Sequence, residues 1–115
     1  MNAPNELIIE VNNTDQATIV APQGEIDLGR SPGLRSRLGE IIAEKPGRII
    51  IDLSGVTYMD SSGVATLVEA LQQCRSINAS LTLCAMQDRV RSIFEIARLD
   101  MVFTIADTLE HALEA

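Results

Sequence analysis

Aromatic residues are scarce in this 115-residue chain: two Phe, one Tyr and no Trp, 3% in all. Proteins that stack single-stranded nucleic acid need such rings, so that mode of binding is poorly supported. Positive charge is short as well. Nine Lys and Arg stand against sixteen Asp and Glu, a formal net charge of −7. Such a balance disfavours nucleic acid and anionic membrane surfaces and suits a basic protein partner. No apolar run approaches membrane-spanning length, and Met1-Asn2-Ala3-Pro4 does not form a basic region leading into an apolar one. A cytoplasmic protein is expected. Histidine occurs once, at His111, in a polar helical stretch with no convergent cysteines or carboxylates, which argues against a catalytic zinc site. Cys74 and Cys84 lack CxxC spacing and a nearby His. They read as small buried hydrophobes in a reducing compartment rather than as a disulfide or metal ligands. Neither a Gly-x-Gly-x-x-Gly fingerprint nor a phosphate-binding loop with its Lys is present. No cofactor and no metal are expected.

What the chain does have is apolar content, 46%, at a length that suits one globular domain over residues 1–115 with a real core. Leu7 to Val11 and Ala17 to Ala21 read as strands joined by the polar loop Asn12 to Gln16. Pro22-Gln23-Gly24 predicts that the second strand bends or ends at an edge. Glu25-Ile26-Asp27-Leu28 follows, then loop to Gly33. Ser31-Pro32 reads as a helix start, with Ser31 as N-cap and Pro at the first helical position. Leu34, Leu38, Ile41 and Ile42 form that helix's apolar stripe, and Pro46-Gly47 follows its end. The run Ile49-Ile50-Ile51-Asp52-Leu53 is a buried strand, Ser54 to Thr57 a turn. Leu81 to Cys84 is the next strand. A third helix starts at Gln87-Asp88 with Val90, Ile93, Phe94 and Ala97 on one face. Met101-Val102-Phe103 predicts a brief strand, and Asp107 or Thr108 caps a last helix carrying Leu109, Ala112 and Leu113. Alternation of this kind implies an α/β domain with parallel pairing behind an antiparallel opening pair.

The stretch that organises the rest is Tyr58-Met59-Asp60-Ser61-Ser62-Gly63. Past it, Val64, Leu67, Val68, Leu71 and Cys74 fall at helical spacing. Two hydroxyls and a carboxylate therefore stand at a helix N-terminus, where backbone N–H groups lack partners and the positive end of the macrodipole lies. Plain capping by Asp60 or Ser61 accounts for such residues. A cap needs one residue, however, and three candidates occur in a row. The same geometry favours phosphate or another anion. Asp27 follows the second strand, so it and the tetrad fall on one sheet edge, the usual edge for ligands and contacts.

These segments resemble the STAS family of bacterial anti-sigma factor antagonists. Gly24-Glu25-Ile26-Asp27 is similar to the family's Gly-Glu-apolar-Asp. The run from Ile50 through Asp60-Ser61-Ser62-Gly63 to Val64 resembles its core motif almost throughout. Ile93 to Asp100 with Phe103, and Glu110-His111-Ala112-Leu113, resemble its third helix and its helical end. The resemblance covers a core of about residues 7–114 and implies a small STAS domain: a four- to five-stranded mixed sheet with parallel core and about four helices. It implies partner switching through Asp27, Asp60, Ser61, Ser62 and Gly63, with Ser62 as the phosphorylated residue. The implied partners are an anti-sigma factor with serine kinase activity and a serine/threonine phosphatase. The dephosphorylated protein would capture the anti-sigma factor and free a sigma factor. An alternative within the family is an accessory adaptor subunit of a transport or signalling complex without a phospho-switch. The chain departs from the family at Ala65, where a second Gly is common, and at Ala97-Arg98, where Thr-Gly or Ser-Gly is frequent. An enzyme with Ser61 or Ser62 as nucleophile would need a positioned base. The single His111 lies far along the chain, so no enzymatic activity is expected.

Overall fold

The computed structural model describes residues 7–114. Among them the elements run β1 (Ile8–Asn13), β2 (Thr18–Ile26), α1 (Ser31–Ala43), β3 (Arg48–Asp52), β4 (Val56–Met59), α2 (Ser61–Ser76), β5 (Ser80–Cys84), α3 (Asp88–Ile96), a 3-10 turn (Leu99–Met101), β6 (Thr104–Ala106) and α4 (Leu109–Glu114). The sheet has strand order β1-β2-β3-β5-β6, with β4 paired to the far part of β2. The β1–β2 pair is antiparallel; every other pair is parallel.

The three consecutive isoleucines of β3 explain the layering. Successive strand side chains point to opposite faces. Ile49 and Ile51 enter one apolar cluster with α1, α2 and α3, while Ile50 enters a second with Ala17, Ile19, Cys84 and Ala112 of α4. A central parallel strand buried on both faces is apolar without alternation. Cys74 and Cys84 are both buried and free. Burial, and secondarily the charge of Asp52, pushes the Cys84 thiol up to about 11, so neither sulfur is poised as a nucleophile.

Five local expectations need correction. Strand β2 does not stop at Pro22. Its partner β3 covers Thr18 to Val20, β4 takes over at Gly24, and Pro22 falls between the two, where its missing N–H interrupts neither ladder. The change of partner is accompanied by a register shift at Gly24/Glu25, with Gly24 at φ +102°. That left-handed backbone is what glycine permits. Next, the turn after β3 is shorter than expected. Val56–Met59 forms the additional strand β4, which brings the sheet to six strands.

Ser31 is not the N-cap of α1. The helix begins at Ser31, and the preceding Arg30 makes no side-chain cap. Asp27 does that work: its carbonyl accepts from the N–H groups of Arg30 and Ser31 at 3.1 and 2.8 Å, and its Oδ1 accepts from Arg30 N–H at 3.0 Å. Finally, β6 forms at Thr104–Ala106, not at Met101 to Phe103. Phe103 is buried edge-to-face against Phe94, ring centroids 5.6 Å apart, and its N–H donates to Leu99 O at 2.9 Å. Those contacts hold the preceding residues in a 3-10 turn. Ala97 is exposed instead of packed.

Arg98, between α3 and that turn, has φ +59° and ψ +26°. A left-handed conformation costs a residue with a Cβ about 1–2 kcal/mol, and glycine avoids it. Arg98→Gly should therefore stabilise the domain by up to ~1 kcal/mol after the added freedom of the unfolded chain is subtracted. Urea unfolding of the two proteins checks this; a loss of stability would mean that Arg98 makes contacts worth more than its strain.

Candidate functional site

The site is assembled where β2 and β4 end side by side. Ile26 pairs with Met59, and the Asp60 N–H donates to Ile26 O at 3.1 Å. The next residue after each strand is an aspartate, so Asp27 and Asp60 are neighbours at the carboxyl edge of the sheet. The shared edge expected from the sequence is observed.

Asp60 is the N-cap of α2, with extended backbone (φ −105°, ψ −172°). Its Oδ1 accepts from Ser62 N–H at 2.9 Å, from Gly63 N–H at 3.4 Å and from the Ser62 hydroxyl at 2.5 Å. The Ser62 hydroxyl above all, then the N–H groups of Ser62, Gly63 and Leu28, hold the Asp60 carboxyl below the usual carboxylate range, outweighing the desolvation that would raise it. The two serines are not equivalent. Ser62 is half-buried and its hydroxyl is committed to Asp60, while its carbonyl accepts from Thr66 Oγ1 at 2.9 Å. Ser61 is exposed, and among the described residues nothing is hydrogen-bonded to its hydroxyl.

Gly63 is buried and plays a packing part. A Cβ there would stand 2.7 Å from Met59 Cγ, 2.8 Å from Ile26 Cγ2 and 3.3 Å from the Ile26 carbonyl oxygen. The first turn of α2 thus lies directly on the two strands that deliver Asp27 and Asp60. Asp27 is half-buried and held by Arg30, whose Nη1 lies 2.7 Å from Oδ2. Of the residues expected at the site, Asp27, Asp60, Ser61 and Ser62 gather at the surface, and Gly63 lies beneath them.

Sequence reasoning passed over Arg30 and Leu28. Arg30 had a signal in its spacing: it stands three residues beyond a loop aspartate, within reach for an ion pair. Leu28 acts through its backbone N–H, which leaves no trace in residue type. Its side chain is 75% exposed and Tyr58 is 38% exposed, so apolar surface flanks the polar tetrad. Among the described residues no group of His, Cys, Asp and Glu could hold a metal ion.

Comparison with known proteins places the geometry in context. The STAS domain family model matches residues 8–112. The chain is 35% identical over 98 residues to the anti-sigma-B factor antagonist of Listeria monocytogenes, covering 84% of each. It is 27% identical over 113 residues to the anti-sigma-F factor antagonist RsfB of Mycobacterium tuberculosis, covering 98% of this chain and 92% of that one. A solved anti-sigma factor antagonist from Mycobacterium paratuberculosis superposes with a TM-score of 0.88 at 27% identity, over 99% of this chain and 97% of the other.

Two outcomes are expected of the cap. Gly63→Ala should destabilise by about 1–3 kcal/mol, since a methyl has no room against Ile26 and Met59; an unchanged urea midpoint would show that the strands yield freely. Asp60 has a folded pKa below its unfolded value, so its contribution is present above the ordinary carboxylate pKa of about 4 and is lost as pH falls through the folded value. Asp60→Ala should therefore be less stable than the parent at pH 7, and the gap should close below about pH 4. A gap of constant size across an acid titration of the two proteins would contradict this assignment.

Proposed function

The chain belongs to the STAS domain family, and from that membership we propose that it is a cytoplasmic anti-sigma factor antagonist controlled by phosphorylation. Unmodified, it binds an anti-sigma factor that is also a serine kinase, and a sigma factor is released. Phosphorylated, it lets go, until a serine/threonine phosphatase restores it. The relatives named as antagonists of anti-sigma-B and anti-sigma-F factors support the general role. The observation that carries the switch is the tetrad itself: hydroxyls displayed at a helix start, beside two carboxylates and rimmed by exposed Leu28 and Tyr58.

The resemblance puts the phosphate on Ser62. The geometry favours its neighbour Ser61, because an acceptor must enter a kinase active site and Ser61 is the exposed hydroxyl, whereas Ser62 is held by Asp60. We therefore propose the pair Ser61–Ser62 as the switch, with Ser61 as acceptor and Ser62 as the other candidate. A phosphoryl group adds a charge of about −1.5 to −2. It would sit next to Asp60 and Asp27. In an interface, like charges brought together cost several kcal/mol, and each ~1.4 kcal/mol is tenfold in affinity. Exposed at the surface of the free domain, the same charge is largely hydrated. Binding is lost while the fold stands.

Phosphosite mapping of the protein from its native cells, with Ser61→Ala and Ser62→Ala in parallel, tests this reading. Phosphate that disappears only with Ser61→Ala is expected; disappearance only with Ser62→Ala moves the acceptor one residue. Ser61→Asp should weaken partner binding by roughly 100-fold or more while shifting thermal unfolding little. Serines that stay unmodified in every growth condition, with a transport subunit copurifying, would replace the switch by an adaptor role.

A further inference from the structure

A phosphate at the start of α2 meets a difficulty that the helix does not solve. The N–H groups of Ser62 and Gly63, which could receive it, are already taken by the Asp60 carboxylate. The Leu28 N–H is directed to the same group. Two carboxylates flank the spot. Water hydrates the added charge, and a nearby cation would hold it further; Arg35 lies with Glu69, Arg91 with Asp107, and Arg48 with the Ala112 and Leu113 carbonyls of α4.

Arg30 stands in the right place. Its guanidinium holds Asp27, and Asp27 lies beside Asp60 because Ile26 and Met59 are paired strand residues, adjacent strands being about 4.8 Å apart. A long side chain anchored on Asp27 is thus within about one side-chain length of the α2 cap. Resting on the partner-switching reading above, we propose that Arg30 is the residue that takes up a phosphate on Ser61, exchanging Asp27 for the phosphate as it does so.

The exchange follows from charge. A phosphoserine dianion offers more charge and three acceptor oxygens, against one carboxylate. Asp27, losing its counter-ion next to a dianion, is then repelled. Its Oδ1 also accepts from Arg30 N–H, and its carbonyl supports the first turn of α1. Phosphorylation therefore changes the shape of the β2–α1 loop as well as the charge of the surface. The partner is refused by both.

Phosphoserine incorporated during translation at position 61 tests this without a kinase. The full chain is made with phosphoserine in three backgrounds: parent, Arg30→Gln and Arg30→Lys. The phosphate is titrated by phosphorus NMR. Asp27 and Asp60 raise its second ionisation and Arg30 lowers it. Removing the cation in Arg30→Gln should raise that pKa by about 1 unit, and Arg30→Lys should retain most of the depression. In the parent sequence, amide resonances of residues 27–31 should move on phosphorylation, a readout that needs no substitution at Arg30. Identical titrations with and without the Arg30 guanidinium, or unmoved amides over residues 27–31, would overturn the proposal. Either failure leaves the partner switch standing. Serines never phosphorylated in cells would remove the switch and leave these titrations as they are.

Discussion

The contact on which the rest depends is the seating of the first turn of α2 on the ends of β2 and β4. Gly63 makes it possible, since a single methyl would overlap Ile26 and Met59. That approach fixes the helix start against the sheet, and the sheet in turn fixes the two aspartates. The Asp60 carboxylate then has the N–H groups of Ser62 and Gly63 within reach, and its own N–H reaches Ile26. A helix placed an ångström or two farther out would carry its Asp60 cap with it but separate the serines from Asp27. Backbone packing thus sets the electrostatics of the edge.

Much of this was legible in the chain. The change from strand-like to helix-like spacing at Asp60 located the helix start, because one apolar period ends and another begins there. The triple isoleucine marked a strand buried on both faces. What escaped reading was what depends on pairing across space. Val56–Met59 is four residues long with a buried–exposed–exposed–buried pattern, which carries neither a clean alternation nor a helical stripe. It becomes a strand only because β2 outruns β3 and needs a second partner. The same cause explains Pro22, which local rules place at a strand end but which here lies between two successive neighbours. Ser31-Pro32 has the residue types of a cap, yet Asp27 supplies the acceptors.

The departures from the family pattern sort by backbone. Ala65 lies exposed in α2, which continues to Ser76, and alanine there favours the helix by about 1 kcal/mol over glycine. Arg98 goes the other way, holding a backbone conformation suited to glycine. It also follows Ile96, which is 84% exposed, and precedes Met101, 79% exposed. The end of α3 therefore combines local strain with apolar surface, whereas the tetrad combines satisfied hydrogen bonds with exposed hydroxyls.

A surface switch requires that the modified group contribute little to folding while its neighbours contribute a great deal. Under the proposed switch, the two serines divide these requirements between them. Ser62 has its N–H and its hydroxyl on Asp60 and its carbonyl on Thr66, so any group added to its oxygen must first break a bond that holds the cap. Ser61 begins the same helix with its side chain exposed, and a group added there breaks no hydrogen bond made by the serine hydroxyl to a described residue. A modification at the first position acts on whatever approaches the surface and on the Arg30–Asp27 contact beside it; at the second it breaks the cap of α2. Reversible control, in which the modified protein must survive to be restored, is served by the first.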